Sequence, residues 1–556
     1  MPANAVGEDG PPGAGRQGTA RVIGASALGT LFEWYDFFLY GALAGFIASH
    51  FFSGVDATTA FIFALATFAV GFIVRPLGAL VFGRIGDRAG RKNTFLVTLA
   101  IMGLSTFLVG LLPGRESIGI AAPFTLVVLR ILQGLAIGGE FGGAIVYVAE
   151  HAPPGRRGLH TSWIPGMALA GLLLSLAVIA AVRAAMPAEA FAAWGWRLPF
   201  LLSIILLGIS LWIRIRLQES PVFRRMKAQQ ALSRAPLSEA FLRWPNARLM
   251  LAALFGAVVG QAVTFYTGTF YAFYFLERVA QVDSATVTIL SGVAIVIGAP
   301  LVLACGWLSD RLGRKPPLLA GLALAALLYF PLFGALLAAA NPALANARQE
   351  APVVLRADAA DCSLQFDPMG RRKWEASACD VAKSFLARAG VGHAMADSGR
   401  SESARLDIGG VVVDAPDPRP LAGEARAAII ADFGARARAA LAEAGYPEAA
   451  DPAAVNRPRV VAILVALLFL TALVTGPYSA LLAELFPARI RYTALSFPQN
   501  FGNGWFGGLL PAVAFAIVAA TGNVFAGLWY PVTLAALSFA VGVLVLPETR
   551  GRPIDR

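Results

Sequence analysis

The stretch GRIGDRAGRK, residues 83–92, recurs farther along the chain as GWLSDRLGRK, residues 306–315. Each copy follows one apolar run of roughly 20 residues and precedes another, a length that crosses about 30 Å of hydrocarbon. Its glycines permit a tight turn between two helices, and its arginines can pair with acidic groups on an opposing bundle. The repeat predicts a membrane protein made of two related halves.

Two further pairs of segments support this duplication. EHAPPGRR (150–157) corresponds to ELFPARIR (484–491), and LQES (217–220) corresponds to LPET (546–549). The copies in these two pairs lie farther apart than the copies of the first pair. An insertion therefore lies between the ninth and tenth spans, and the change in composition places it at residues 341–456.

The composition of the chain is that of a lipid-embedded protein. Of its 556 residues, 57% are hydrophobic and only 14% are charged, a balance that a water-soluble chain of this length has no way to bury. Helices satisfy their own backbone hydrogen bonds in hydrocarbon, so we predict an all-α polytopic fold. The twelve predicted spans lie near residues 21–50, 60–82, 94–112, 122–148, 161–183, 197–216, 249–275, 285–307, 317–340, 459–483, 493–520 and 524–546.

The formal net charge of +11 is explained by topology rather than by binding of nucleic acid. Basic residues concentrate in alternate loops, as the positive-inside rule requires of cytoplasmic loops. Both termini are therefore predicted to be cytoplasmic and the insert extracytoplasmic. The polar residues 1–20 carry no cleavage site behind a short apolar stretch, so we expect no removable signal peptide.

These observations divide the chain into seven parts. They are a cytoplasmic tail (1–20), an N-terminal six-helix bundle (21–216), a cytoplasmic central loop (217–248), spans seven to nine of the C-terminal bundle (249–340), the insert (341–456), spans ten to twelve (457–546) and a second cytoplasmic tail (547–556).

The insert is charged and rich in alanine, with a helix-like segment near 422–444 and a short valine run at 411–413. It is either a small folded module or a partly disordered loop. Cys362 and Cys379 lie within it, and an extracytoplasmic compartment permits a disulfide between them, worth on the order of 3 kcal/mol. Two unpaired thiols are the alternative.

Several motifs resemble those of the major facilitator superfamily. They are the repeated loop and RILQG at residues 130–134. More narrowly, GTLFEWYDFFLYG (29–41), RPLG (75–78) and LQESPVF (217–223) resemble the metabolite:proton symporter family. The resemblance implies two pseudo-symmetric six-helix bundles that alternate access to a central site. It also implies symport of an organic acid or a zwitterionic metabolite with protons, in a bacterial plasma membrane.

Charged residues within spans are the main chemical signal, because each costs at least about 2.5 kcal/mol to insert. Glu33 and Asp36 lie three residues apart on one helical face, and like charges in a medium of low dielectric favour binding of a proton. We predict that these two carboxylates, together with Glu140 in span four, form the proton-coupling site. The alternative is that Glu33 or Asp36 pairs permanently with Arg75 or Arg130 and only fixes helix packing.

Arg75 and Arg130 are the predicted anchors for a substrate carboxylate, because a guanidinium presents a fork of donors. Arg75 could instead serve the inner gate, since it lies toward the cytoplasmic half. Other predicted substrate-binding residues are Tyr40, Gln133, Gln261, Tyr266, Asn500 and Asn503. Each tyrosine has the alternative of a place in the core or in the aromatic belt.

The repeated loops and the segments that follow spans four and ten are predicted to latch the cytoplasmic side in the outward-open state. The predicted gate residues are Gly83, Asp87, Arg88, Gly90, Arg91, Glu150, Asp310, Arg311, Gly313, Arg314, Glu484 and Arg489.

Other functions find little support in the sequence. There is no phosphate-binding Gly-x-x-x-x-Gly-Lys-Ser/Thr loop, and the four histidines are scattered without metal-ligand spacing. We therefore predict no metal site, no catalytic residue and no cofactor other than the coupling proton. A passive facilitator or exporter remains an alternative, and so does a receptor that uses the insert as its ligand-binding module.

Overall fold

The computed structural model describes residues 14–53, 63–64, 67, 69–216, 218–363, 375–397 and 403–555. Within this part of the chain, ten helices are long and apolar enough to cross a membrane. They coincide with predicted spans three to twelve. In order, they are Arg91–Leu111, Ala121–His151, Arg157–Ala184, Gly195–Ile215, Trp244–Arg278, Ser284–Leu312, Lys315–Ala340, Arg457–Leu485, Arg491–Thr521 and Ala526–Leu544.

The first two spans complete the N-terminal bundle. Span one is the helix Ala14–Ala42, followed by Ala44–Phe51. It begins inside the predicted tail 1–20, because the helix continues into the polar residues that precede the apolar run. Span two is described at Arg75–Ala89, and its predicted start at residue 60 lies outside the described residues. The predicted central loop contains the short helices Pro221–Ala228 and Pro236–Phe241.

The two halves use the same geometry where spans two and eight end. Gly90 and Gly313 have φ angles of +112° and +106°, a region that side chains with a Cβ rarely adopt. The backbone N–H groups that begin the next helices then meet a carboxylate from the third repeated segment. Glu219 accepts from Lys92 at 3.2 Å, and Glu548 accepts from Lys315 at 3.0 Å. Each carboxylate satisfies donors that a helix N-terminus otherwise leaves unpaired.

The bundles pack together through span eleven against spans two and four, and through span eight against span five. Gly142 in span four allows close approach, because a Cβ at this position would lie 2.1 Å from Ser496 Oγ. Spans seven and eleven depart from regular α-helix. Their π-helical segments are Leu254–Val258, Thr267–Tyr271 and Gly502–Gly507. Such segments occur frequently at functional sites.

The insert is a folded α/β module. Four strands form a sheet in the order β2-β1-β3-β4. They are β1 (Val353–Ala357), β2 (Ala394–Asp397), β3 (Arg405–Ile408) and β4 (Val411–Asp414). Strands β1 and β2 are parallel and flank the helix Ala378–Ala389, while β3 and β4 form a hairpin. The second long helix of the module is Gly423–Glu443, close to the predicted helical segment.

A disulfide joins Cys362, which follows strand β1, to Cys379 at the start of the helix after it. The module rests on the end of the C-terminal bundle opposite to the repeated loops. The His393 N–H donates to the Gly522 carbonyl at 2.8 Å, and the Ala450 N–H donates to the Gln281 carbonyl at 3.0 Å. These backbone contacts tie the module to the connections between spans seven and eight and between spans eleven and twelve.

Candidate functional site

A cavity lies between the two bundles near the middle of the spans. It encloses about 20 Å³, room for roughly one water molecule, so the bundles are closed around it. The side chains that line it include four of the predicted substrate-binding residues. These four are Arg75, Gln261, Asn500 and Asn503, and they are joined by Trp34, Phe141, Tyr478 and Gln499.

Arg75 is the cationic residue of this cavity. Its guanidinium carbon lies 4.5 Å from the ring centres of both Phe37 and Phe72 and 5.6 Å from that of Trp34. The side chain is buried, yet its Nε and Nη2 atoms have no hydrogen-bond partner among the described residues. Aromatic faces stabilise the cation, but they do not satisfy its N–H donors. The arrangement leaves directed donors available to an anionic group.

The other predicted substrate residues of the N-terminal bundle, Arg130, Gln133 and Tyr40, do not line the cavity. Arg130 stacks on Tyr40 at 4.2 Å and donates to Gln133 Oε1 at 2.6 Å. Gln133 in turn donates to Thr106 Oγ1 at 2.9 Å. Tyr266 is absent from the cavity lining but interacts with the Arg75 guanidinium, and its ring stacks on Phe270 with ring centres 5.3 Å apart. The structure therefore brings Arg130, Gln133 and Tyr40 into one local network rather than into the cavity.

The predicted proton-coupling carboxylates are all buried in the N-terminal bundle. Neither oxygen of Glu33 has a hydrogen-bond partner among the described residues, and the same is true of Asp36 Oδ1. No ion pair in the described part of the chain joins Glu33 or Asp36 to Arg75 or Arg130, the permanent pairing that the sequence left open. Glu33 does interact electrostatically with Glu140, Arg75 and Arg214.

Arg214 near the end of span six is the functional candidate that sequence reasoning missed. Its Nη1 atom lies 2.7 Å from Glu140 Oε1, and both side chains are buried. The guanidinium packs directly on span one, where a Cβ at Gly29 would lie 1.6 Å from it. A charged residue within predicted span six was the available signal, since insertion of an arginine is costly unless it has a partner.

The C-terminal bundle contributes neutral amides. Asn503 Nδ2 donates to Gln261 Oε1 at 3.1 Å, and Gln261 Nε2 donates to Thr475 Oγ1 at 3.4 Å. Asn500 Nδ2 reaches across the bundle interface and donates to the Gly138 carbonyl at 2.8 Å. These contacts keep the amides fixed at the cavity wall.

The aspartates of the two repeated loops each cap a helix of the opposite bundle. Asp87 accepts from the backbone N–H groups of Tyr492 and Thr493 at 3.2 and 2.9 Å. Asp310 accepts from those of Gly158 and Leu159 at 2.8 and 2.9 Å. The end of the molecule that carries these loops, hereafter the motif face, is therefore closed by two symmetric contacts.

Buried arginines and glutamates reinforce this closure. Arg91 lies 3.1 Å from Asp87, and Arg491 of span eleven lies 3.0 Å from Glu150 of span four. At the second repeated loop, Arg314 contacts both Asp310 and Glu484, at 2.7 and 3.0 Å. Arg157 of span five approaches Glu484 at 3.6 Å. Glu150 and Glu484 each bind an arginine of the other bundle, so the ion pairs cross the interface.

Three predicted gate arginines lie outside this buried cluster. Arg88 and Arg311 are exposed, and the Arg311 guanidinium stacks on Trp307 at 3.8 Å. Arg489 pairs with Glu239 of the central loop at 2.6 Å. The buried positions are taken instead by Arg157 and Arg491. In the described part of the chain, no cluster of three or more His, Cys, Asp or Glu residues could hold a metal ion.

Comparison with known proteins identifies the family to which this architecture belongs. Residues 26–354 match the family model of the Major Facilitator Superfamily. The chain belongs to the Major Facilitator Superfamily. This confirms the predicted fold class and, at the level of the family, a membrane transporter rather than an enzyme.

Among relatives in this superfamily is the glycine betaine/proline/ectoine/pipecolic acid transporter of Dickeya dadantii. It is 38% identical over 310 residues, which cover 53% of this chain and 60% of the relative. The shikimate transporter of Escherichia coli is 38% identical over 322 residues, 57% of this chain and 72% of the relative. The fold also matches the proton:xylose symporter XylE at 15% identity and a TM-score of 0.64, covering 97% of this chain and 98% of that one.

Proposed function

We propose that this member of the superfamily is a proton-coupled symporter of a small organic acid or zwitterion. The observation that carries the proposal is the Arg75 guanidinium, which is buried at the central cavity and has two donor atoms, Nε and Nη2, without a hydrogen-bond partner among the described residues. A carboxylate matches the geometry of these donors. The solutes named for two relatives support this class, since shikimate and betaine each carry a carboxylate.

Coupling of proton and solute follows because Glu33 and the carboxylate of the solute compete for Arg75. An ionised Glu33 attracts this guanidinium and disfavours a second negative charge beside it. Proton binding by Glu33 neutralises the carboxylate and leaves Arg75 free for the carboxylate of the solute. Solute and proton therefore favour the same state, which is the thermodynamic requirement for symport. Asp36 and the Glu140–Arg214 pair complete the proposed proton path.

Alternating access is proposed to follow from rocking of the two bundles about the cavity. The crossing ion pairs and the helix caps of Asp87 and Asp310 hold the motif face closed. Entry of solute then occurs from the opposite end, and these contacts must separate before release at the motif face. Protonation and solute binding supply the differential free energy for that change.

The test is transport by protein reconstituted in liposomes that contain an interior pH dye, with shikimate, glycine betaine and proline as probes. We expect one of them to carry protons inward, and Glu33→Gln to abolish the proton movement. Glu116→Gln, at an exposed position outside the spans, is the matched control and should transport normally. Solute flux without proton movement would contradict symport and favour a facilitator.

The proposed orientation places both termini and the motif face in the cytoplasm of a bacterium, with the insert outside the plasma membrane. Cysteines introduced at exposed Glu424 in the insert and exposed Gln229 in the central loop test it. A membrane-impermeant maleimide should label the first and not the second in intact cells or spheroplasts. The reverse pattern would overturn the orientation.

A further inference from the structure

A second and larger cavity lies at the seam between the insert and the C-terminal bundle. It encloses about 710 Å³, within the range of roughly 300 to 1,000 Å³ that is usual for small-molecule sites. Helices Ala378–Ala389 and Gly423–Glu443 of the insert form one wall. Glu277 and Arg278, at the end of span seven, contribute to the other. The cavity therefore depends on both parts of the molecule.

The floor of this seam cavity is apolar. Phe385 and Phe433 meet edge to face, with ring centres 5.7 Å apart, and Ile430 and Leu441 extend the surface. Tyr446 also lines it, while its hydroxyl donates to the Ala351 carbonyl at 2.8 Å. Rings and aliphatic side chains of this kind bind the apolar body of a ligand.

The rim carries arginines on both insert helices. Arg388 and Arg438 stand at exposed positions, and their guanidinium groups lie close enough to repel each other. Partial burial, together with the charge of Arg438, lowers the pKa of Arg388, although the nearby Glu375 carboxylate opposes this effect. Arg278 adds a third guanidinium, and the carboxylates of Glu277, Glu375 and Glu448 also line the cavity. An anionic group between Arg388 and Arg438 would relieve their repulsion.

We propose that the seam cavity is a second ligand site, which binds a small organic carboxylate with an apolar body. The carboxylate lies between Arg388 and Arg438, and the body lies on Phe385 and Phe433. Because Glu277 and Arg278 end a span with two π-helical segments, an occupied seam ties the insert to this part of the transporter. The site is separate from the central cavity and goes beyond the proposed symport.

The experiment uses full-length protein in nanodiscs, with 4-fluorobenzoate as the probe and ¹⁹F NMR as the readout. We expect saturable binding that is at least tenfold weaker in the double variant Arg388→Gln/Arg438→Gln. Arg436→Gln is the matched control, because this arginine of the same helix pairs with Asp432 at 2.9 Å and does not line the cavity. The neutral probe 4-fluorobenzamide should bind at least tenfold more weakly than the acid.

Two further variants separate the seam from the central cavity and from misfolding. Arg75→Gln should leave 4-fluorobenzoate binding unchanged, and a loss of binding in this variant would assign the probe to the central site. Arg388→Lys/Arg438→Lys retains both charges and should bind with intermediate affinity. Equal binding by wild type and the double glutamine variant, or none by wild type, would overturn the proposal. Liposome transport tests the symport independently, so either proposal can fail alone.

Discussion

The interiors of the two bundles differ in chemistry although their loops match. Away from the motif face, the described spans of the N-terminal bundle bury the charged side chains of Glu33, Asp36, Arg75, Arg130, Glu140 and Arg214. The C-terminal bundle presents neutral groups at the cavity wall, with Gln261, Asn500 and Asn503 as examples. The two halves therefore share the aspartates and arginines that close the motif face, but they differ in the side chains that surround the cavity.

This difference separates two tasks. When a buried carboxylate gains or loses a proton, its interaction energy with neighbouring charges changes strongly, because the surrounding dielectric is low. Amides stay neutral at every pH. The N-terminal bundle is suited to coupling and the C-terminal bundle to orientation of a solute. Two predictions test this division directly, and two others test the docking of the insert and the symmetry of the loops; they are given in order of decreasing effect.

Removal of the Arg214 charge should be the most damaging change. Arg214→Ala leaves Glu140 buried without its partner, and loss of one member of a buried pair costs about 3 to 5 kcal/mol. We expect a lower midpoint of thermal unfolding in detergent and loss of proton-driven transport. Gln261→Ala, the comparison in the other bundle, should keep its stability within about 1.5 kcal/mol, on the order of one neutral hydrogen bond. Equal losses in the two variants would break the contrast between bundles.

The docking of the insert on the C-terminal bundle should depend on pH through His393. Burial and the nearby charge of Lys383 lower the pKa of His393 to about 4, although a contact with the Val391 backbone opposes this effect. A depressed histidine pKa means that docking is fully stabilised above the ordinary value of about 6.5 and is weakened as pH falls toward 4. The maximum effect is on the order of 3 kcal/mol.

Hydrogen exchange of the helix Ala378–Ala389 measures this docking. Protection should fall between pH 6.5 and pH 4 in the wild type. His393→Gln removes the titrating group, so protection in this variant should not vary over the same interval. A wild-type profile that stays flat would refute the role of His393, because Lys383 and the neighbouring Arg348 remain charged throughout.

The helix caps of the two repeated loops should contribute equally. Asp87→Asn and Asp310→Asn each replace a charged acceptor of two backbone N–H groups, and hydrogen bonds to a charged group are worth about 1.5 to 3 kcal/mol. Both variants should open the motif face. The reporter is maleimide labelling of Ser496→Cys at the bundle interface, in a Cys305→Ala background, and Arg311→Gln is the control. Opening in only one variant would show that the two caps do not contribute equally to closure of the motif face.

Gly29→Ala should have the smallest of these effects, yet it probes the N-terminal bundle most locally. The added methyl group meets Arg214, and overpacking typically costs about 1 to 3 kcal/mol. Gly24 lies on the same helix with no atom within 4 Å of an added Cβ, so Gly24→Ala should be neutral or slightly stabilising. Matched unfolding curves would decide between local crowding and a general intolerance of span one.

Features that depend on consecutive residues can be predicted from the sequence, whereas features that depend on contacts between distant segments cannot. Ten predicted spans match helices, because a long apolar run needs no knowledge of its neighbours to be recognised. The repetition of the two loops is enough to single out Asp87 and Asp310, which cap helices of the opposite bundle. The sequence does not show which arginines enter the buried cluster at the motif face, because Arg489 and Arg491 are two residues apart in the same segment. Packing buries Arg491 against Glu150 and leaves Arg489 on the surface.

Consecutive residues are enough to establish the membrane class, the duplication, the place of the insert in the chain and the presence of costly charges in span one and span four. Tertiary structure alone decided their partners. Glu140 meets Arg214 from another span, and Glu219 and Glu548 cap helices that lie far away in the chain. Hydrophobic length is a property of consecutive residues, whereas hydrogen bonds and ion pairs act over a few ångströms between segments that only the folded packing brings together.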